Sequence, residues 1–188
     1  MTRTVIFDCE TTGLLLPSSA PLEKQPRIIE LGVIVVIDGK LASEHNWLIN
    51  PEMEISAEIT KITGITNEDL VGKPLFRQLL GEIEEVFGGS DYGFAHNAPF
   101  DVGMLSNELL RCARTGFPWP ANTICTAQEF TPLMGKRPRL IHLYEKIMGR
   151  PLAQTHRALD DAMAVFEVLE KYRFFDALGD GATQTAQG

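Results

Sequence analysis

Asp8 and Glu10 stand two apart in the run Val5-Ile6-Phe7-Asp8-Cys9-Glu10, which stops at Thr11-Thr12-Gly13. On a strand side chains alternate faces, so the two acids share one face while Phe7 and Cys9 share the other. Carboxylates fixed side by side repel unless a proton or a metal cation sits between them. Read alone, the pair is as well a polar strand end opening into a loop. A third acid, Asp101, falls in the first turn of a helix opened by His96-Asn97-Ala98-Pro99-Phe100, where the helix dipole favours an acid in any case. The adjacent acids Asp160 and Asp161 are separated by helical geometry. Asp161 lies on the line of Val165, Val168 and Tyr172 and should face the body, whereas Asp160 lies with Ala164, Glu167 and Lys171 and should face water. His156 precedes that helix and can reach over the same place, although a lone histidine there is more often a cap. Asp8, Glu10, Asp101 and Asp161, with no cysteine ligand, favour a hard, oxygen-seeking cation, Mg²⁺ or Mn²⁺. Four negative charges can hold two such ions, an arrangement used for displacement at phosphorus.

The elements that must carry these residues read as follows. Val5 onward is a strand, and Leu15 to Pro26, with three prolines, is a long loop beside the acids. Ile28–Ile37 and Lys40–Ile49 are strands joined by the Asp38-Gly39 turn. A short helix runs from Ser56 to Gly64, a second cap-like run follows at Thr66–Leu70, and Pro74–Phe87 carries a helical stripe. Tyr92–Ala95 is a short buried strand, Pro99 opens a helix reaching Arg111, and Thr123–Thr126 is the last strand. A helix spans about Leu140–Met148, and Thr155 is expected to cap the final helix. A three-strand meander followed by alternating helices and strands predicts an α/β fold with a mixed five-stranded sheet flanked by helices.

The chain has 188 residues, one domain by length, with a small-residue polar tail over 178–188 expected to be disordered. The longest apolar run is too short to cross a bilayer, the start shows no signal-peptide pattern, and three unpaired cysteines suit a reducing compartment. The expectation is a cytoplasmic protein with no membrane association. A net charge of −8 disfavours nucleic acid taken globally. Between Met134 and Arg157, however, Lys136, Arg137, Arg139, Lys146, Arg150 and Arg157 face a single acid, Glu145. That run is either a phosphate-facing edge or a solvated helical face.

Phe-Asp-Cys-Glu-Thr-Thr-Gly-Leu, His-Asn-Ala-Pro-Phe-Asp and His-Arg-Ala-Leu-Asp-Asp-Ala, in that order, closely resemble the motifs of the DEDDh 3′→5′ exonucleases. That family is similar to the proofreading subunit of bacterial DNA polymerase and has a ribonuclease-H-like fold. The resemblance spans about Thr4 to Lys171 and implies an exonuclease domain over 1–177. It implies that Asp8, Glu10, Asp101 and Asp161 hold two metal ions and that His156 is the general base. Thr11, Thr12, Gly13 and Leu14 would hold the 3′-terminal nucleotide, with Asn97 and Phe100 lining the same pocket. Where family members often carry His in the stretch Ile62–Ile65, this chain has Thr63. The implied substrate is the 3′ end of single-stranded DNA, and RNA ends or short oligoribonucleotides remain open because the motifs do not read the 2′-hydroxyl. A non-catalytic polymerase-associated module is disfavoured because all five catalytic positions are intact. A polymerase partner is possible but not indicated, since the long extension expected for docking is missing, and a free-standing enzyme is expected.

Overall fold

The computed structural model describes residues 1–153 and 155–176; the expected disordered tail lies outside them. Five strands form one sheet, β1 (Arg3–Thr11), β2 (Ile28–Ile37), β3 (Lys40–Leu48), β4 (Tyr92–Ala95) and β5 (Asn122–Cys125), in the order β3-β2-β1-β4-β5. The first three pair antiparallel and β4 and β5 join parallel, as the meander followed by alternation required. The β2–β3 turn places both Asp38 (φ 48°) and Gly39 (φ 77°) in the left-handed region, the geometry whose twist suits a two-residue hairpin.

Eight helices accompany the sheet among the described residues: α1 (Ala57–Thr63), α2 (Asn67–Leu70), α3 (Phe76–Phe87), α4 (Ala98–Arg111), α5 (Thr126–Glu129), α6 (Thr131–Met134), α7 (Leu140–Met148) and α8 (Ala158–Lys171). Ser56 caps α1 and Gly64 ends it in the left-handed region, as expected. The short α5 and α6 have no apolar period long enough to be legible in sequence. The last strand is one residue earlier than predicted, because Thr126 already begins α5.

The alternation of β1 divides the core. Val5, Phe7 and Cys9 join the side chains of α3 and α4 on one face. Ile6 faces the other way, into a cluster with Phe94, Leu143, Val165 and Val168 from β4, α7 and α8. The same alternation sends Asp8 and Glu10 toward α8. A bulge at Glu10/Thr11, where Glu10 opposes Glu30 but Thr11 opposes Ile28, re-aims the chain as it leaves the sheet.

The expected start of the last helix is corrected. Thr155 does not cap α8, whose first residue is Ala158; the Thr155 hydroxyl instead donates to Asp160 Oδ2 at 2.6 Å. The leading amide of α8 is satisfied from across the fold, Ala158 N–H donating to Glu30 Oε2 at 3.0 Å. A tertiary carboxylate replaces the local cap. Asp161 is buried and Asp160 exposed, as the helical spacing predicted, but Ala164, expected to face water, is buried in the α7–α8 cluster.

Candidate active site

Gly32 on β2 lies directly opposite Asp8 on β1. A Cβ there would fall 2.3 Å from the backbone nitrogen of Leu159 and 2.5 Å from the carbonyl carbon of Ala158. The first turn of α8 therefore rests on bare backbone, with the fully buried Ala158 and Ala162 beside it. This close approach brings Asp161 to the acids of β1.

Carboxylate oxygens of Glu10 and Asp161 and a ring nitrogen of His156 all lie within 4.8 Å of one another, close enough for one cation. Asp8 and Asp101 do not join that three-residue set, yet their fields reach it. Burial pushes the Asp8 carboxyl well above its ordinary range, and the charges of Asp101, Asp161 and Glu10 push it further. Burial, then Asp161 and Glu30, raise Glu10 to about 8. Asp101 approaches from α4, on the other face of the sheet, and burial raises it to about 7. Its Oδ1 accepts from both the backbone N–H and the thiol of Cys9, each at 3.1 Å. Cys9 thus fixes one oxygen of Asp101. Among the described residues no lysine or arginine forms an ion pair with Asp8 or Glu10. Oxygen donors that are hard, clustered and hard to ionise together suit a divalent cation.

His156 has φ 50°, a backbone region that non-glycine residues seldom occupy. The next residue holds it there. The Arg157 guanidinium grips Glu30, its Nε donating to Oε2 at 2.9 Å and to Oε1 at 3.1 Å. Glu30 is 0% exposed and also accepts from the Asn46 side chain at 2.9 Å. Burial alone would raise Glu30, but these donors outweigh it and hold the carboxyl below its ordinary value. Glu30 and Gly32 are the positioning residues that the motifs do not contain. Their only sequence signals are an acid and a glycine inside the otherwise apolar run Ile28–Ile37.

Two hollows flank the acids. The first, about 660 Å³, is lined by Glu10, Thr11, Thr12, Gly13, Leu14 and Phe100, with α1 as its far wall. Thr11 Oγ1 donates to the Gly13 carbonyl at 2.7 Å, and Thr12 exchanges two hydrogen bonds with Arg27, which sets the shape of this rim. Leu14 is 81% exposed above it. The Thr63 hydroxyl is committed inward, donating to Ile59 O and accepting from Ile65 N–H. The loop from Leu15 to Pro26 contains one 3₁₀ turn, Leu22–Lys24, and is stapled by Gln25 to Leu16 and by Arg111 to three of its carbonyls. The second hollow, about 550 Å³, lies on the Asp8 and Asp161 side. Asn97 lines this one and not the hollow that holds Phe100, so the two residues expected to share a pocket are separated by the acids.

The predicted basic run is divided. Arg157 is held by Glu30 and Arg150 by Glu167, so neither presents an unpaired charge, while Arg137 and Arg139 line the second hollow.

Known proteins resemble this chain in sequence and in fold. The family RNase_T, described as exonuclease, matches residues 5–169. The chain is 33% identical over 173 residues to a DNA polymerase III subunit epsilon of Rickettsia prowazekii, covering 88% of this chain and 72% of that protein. It is 32% identical over 166 residues to a PolC-type DNA polymerase III of Clostridium perfringens, covering 88% of this chain but only 11% of that much longer protein. The nuclease domain of 3′hExo, a DEDDh family member whose structure was solved with rAMP, superposes with a TM-score of 0.73 at 18% identity, covering 95% of this chain and 92% of that one. The mixed five-stranded sheet with flanking helices is of the ribonuclease-H-like kind. No helix among the described residues is long and apolar enough to cross a membrane.

Proposed function

The chain belongs to the DEDDh family of 3′→5′ exonucleases, and from that premise we propose that it removes nucleoside 5′-monophosphates one at a time from the 3′ end of single-stranded DNA. The observation that carries the reading is the meeting of Glu10, Asp161 and His156 within 4.8 Å, with Glu10 also lining the hollow formed by Thr11–Leu14 and Phe100. Asp8, Glu10, Asp101 and Asp161 would hold two ions, Mg²⁺ or Mn²⁺. When bound, the ions supply positive charge at the scissile phosphate and at the departing 3′ oxygen.

The chain's own residues do the rest. His156 accepts a proton from the attacking water, and the Glu30–Arg157 pair fixes the backbone from which its ring projects. Asp101, aligned by Cys9, and Asp161, set by the seating of α8 on Gly32, give the acids a fixed geometry. Leu14 and Phe100 offer apolar contact to the terminal base, and the Thr11–Gly13 rim offers polar groups to its sugar. The names of two relatives, a DNA polymerase III subunit epsilon and a PolC-type DNA polymerase III, support DNA as the polymer.

The test is a 5′-labelled single strand incubated with the protein and Mg²⁺. A ladder shortening from the 3′ end and abolished by EDTA is expected; internal cuts, or no cleavage, overturn the reading. A matched RNA strand run alongside assigns the polymer, and a faster RNA rate would move the substrate to RNA ends. Asp8→Asn should abolish cleavage of either.

A further inference from the structure

The two hollows beside the acids differ in charge. The one that carries Leu14 and Phe100 has Glu10 and Glu58 as its charged lining and no basic residue. The other is lined by Arg137 and Arg139, and Asp8 and Asp161 also line it. Building on the exonuclease reading, we infer that Arg137 and Arg139 seat the phosphate upstream of the scissile one, so that the strand crosses the acids from the arginine hollow to the Leu14 hollow.

A strand cut one nucleotide from its 3′ end is chemically lopsided. Beyond the terminal nucleoside there is no further phosphate, so that side requires contacts to base and sugar alone. On the other side the sugar bearing the departing 3′ oxygen leads at once to another phosphodiester. The hollow without basic groups fits the first side and the arginine hollow fits the second.

The arginine segment is built to stay in place. Pro138 and Leu140 are buried, which turns Arg137 and Arg139 outward on either side of Pro138. The Pro138 carbonyl can only accept, so His96 Nε2–H donates to it at 3.1 Å. The other ring nitrogen, Nδ1, lies within hydrogen-bond distance of the Thr126 hydroxyl at 3.0 Å. The neighbouring Asn97, in the left-handed region with φ 81°, takes a hydrogen bond from Arg137 at 2.6 Å. That acceptor is neutral and leaves the guanidinium charge intact. Among the described residues neither Arg137 nor Arg139 forms an ion pair, in contrast to Arg150 and Arg157 of the same run. His96 and Asn97 therefore act as positioning residues for a phosphate seat, and a protein of net charge −8 engages a polyanion through one local edge.

The test compares Arg137→Gln/Arg139→Gln with the unaltered enzyme on two substrates. One is an eight-nucleotide DNA strand; the other is the p-nitrophenyl ester of thymidine 5′-monophosphate, which has a single phosphate and nothing upstream. We expect kcat/KM on the strand to fall about tenfold or more, from the loss of charge-assisted contacts. The ester should lose at least about fivefold less than the strand does. Lys40→Gln, an equally exposed charge on the edge strand, serves as control and should alter the strand rate by less than about twofold. Binding of a labelled strand in EDTA gives a second readout. Its log–log salt slope should become shallower by about 0.7, the value for one lost phosphate contact on single strands. Equal losses on both substrates, or an unchanged salt slope, overturn the seat. If the unaltered protein cleaves neither substrate, the exonuclease reading fails, and the salt slope still decides on the seat.

Discussion

Arg157→Ala should destabilise this protein far more than the loss of an ordinary half-exposed arginine. Its partner Glu30 is 0% exposed, and without the guanidinium its carboxylate keeps only the Ala158 N–H and the Asn46 amide. Breaking a buried ion pair from one side costs about 3–5 kcal/mol. Because the Arg157 side chain is 39% exposed, water can replace part of what it supplies, which places the loss near the lower end, about 3 kcal/mol. At about 2–4 °C per kcal/mol for a domain of this size, the melting temperature should fall by roughly 6–12 °C. The sign of the pH dependence is fixed by the same pair. Glu30 is held below its ordinary value of 4.5, so its contribution is complete above that pH and is lost as pH falls through the lowered value. In the variant, burial without the guanidinium favours the neutral acid. The gap in melting temperature between the two proteins should therefore be full at pH 7 and narrow on acidification, starting where the variant's raised acid takes up its proton and ending as pH falls through the lowered value of the unaltered protein. Thermal unfolding followed by circular dichroism from pH 7 to pH 3.5 measures it. A shift under about 2 °C at pH 7, or a gap that stays constant into acid, would refute the electrostatic reasoning. Arg157→Lys, which keeps the charge but loses the fork, should fall between the two. Since α8 carries Asp161 and follows His156, the nuclease rate of Arg157→Ala should also drop by at least about tenfold.

Gly32→Ala should remove activity and lower the melting temperature, because its Cβ would meet α8 backbone at 2.3–2.6 Å, atoms that cannot yield without lifting the helix; an active variant would mean that α8 is not seated there. In the absence of divalent cations, stability should decline as pH rises from about 5 to 8. Glu10 at about 8 and Asp101 at about 7 lie above their ordinary values, so their stabilising protonated forms are lost on going alkaline. Added Mg²⁺ should accordingly raise the melting temperature more at pH 8 than at pH 5.5, and a larger shift at pH 5.5 would contradict this. His156→Ala should lose most of the rate while the Mg²⁺-induced rise in melting temperature survives.

Much of this architecture follows from local rules that a sequence states openly. The period of two in β1 put Asp8 and Glu10 on one face, the Asp38-Gly39 pair fixed the hairpin, and the helical period of α8 turned Asp161 inward and Asp160 outward. Relations between distant segments were not legible. The final helix starts at Ala158 and not after a Thr155 cap because the capping oxygen belongs to Glu30, 128 residues away. Arg150 and Arg157 look no different in sequence from Arg137 and Arg139, yet a carboxylate from elsewhere claims each of the first two. Asn97 and Phe100 are three residues apart but open onto different hollows, because the turn into α4 begins at Asn97 with a left-handed residue. Sequence alone determined which way each acid faces on its own strand or helix, since that depends on neighbours along the chain. Only the tertiary structure decided which charges are neutralised, which hollow each residue lines and how closely α8 approaches the sheet. Those depend on contacts across the fold, made where the bare backbone of Gly32 leaves room.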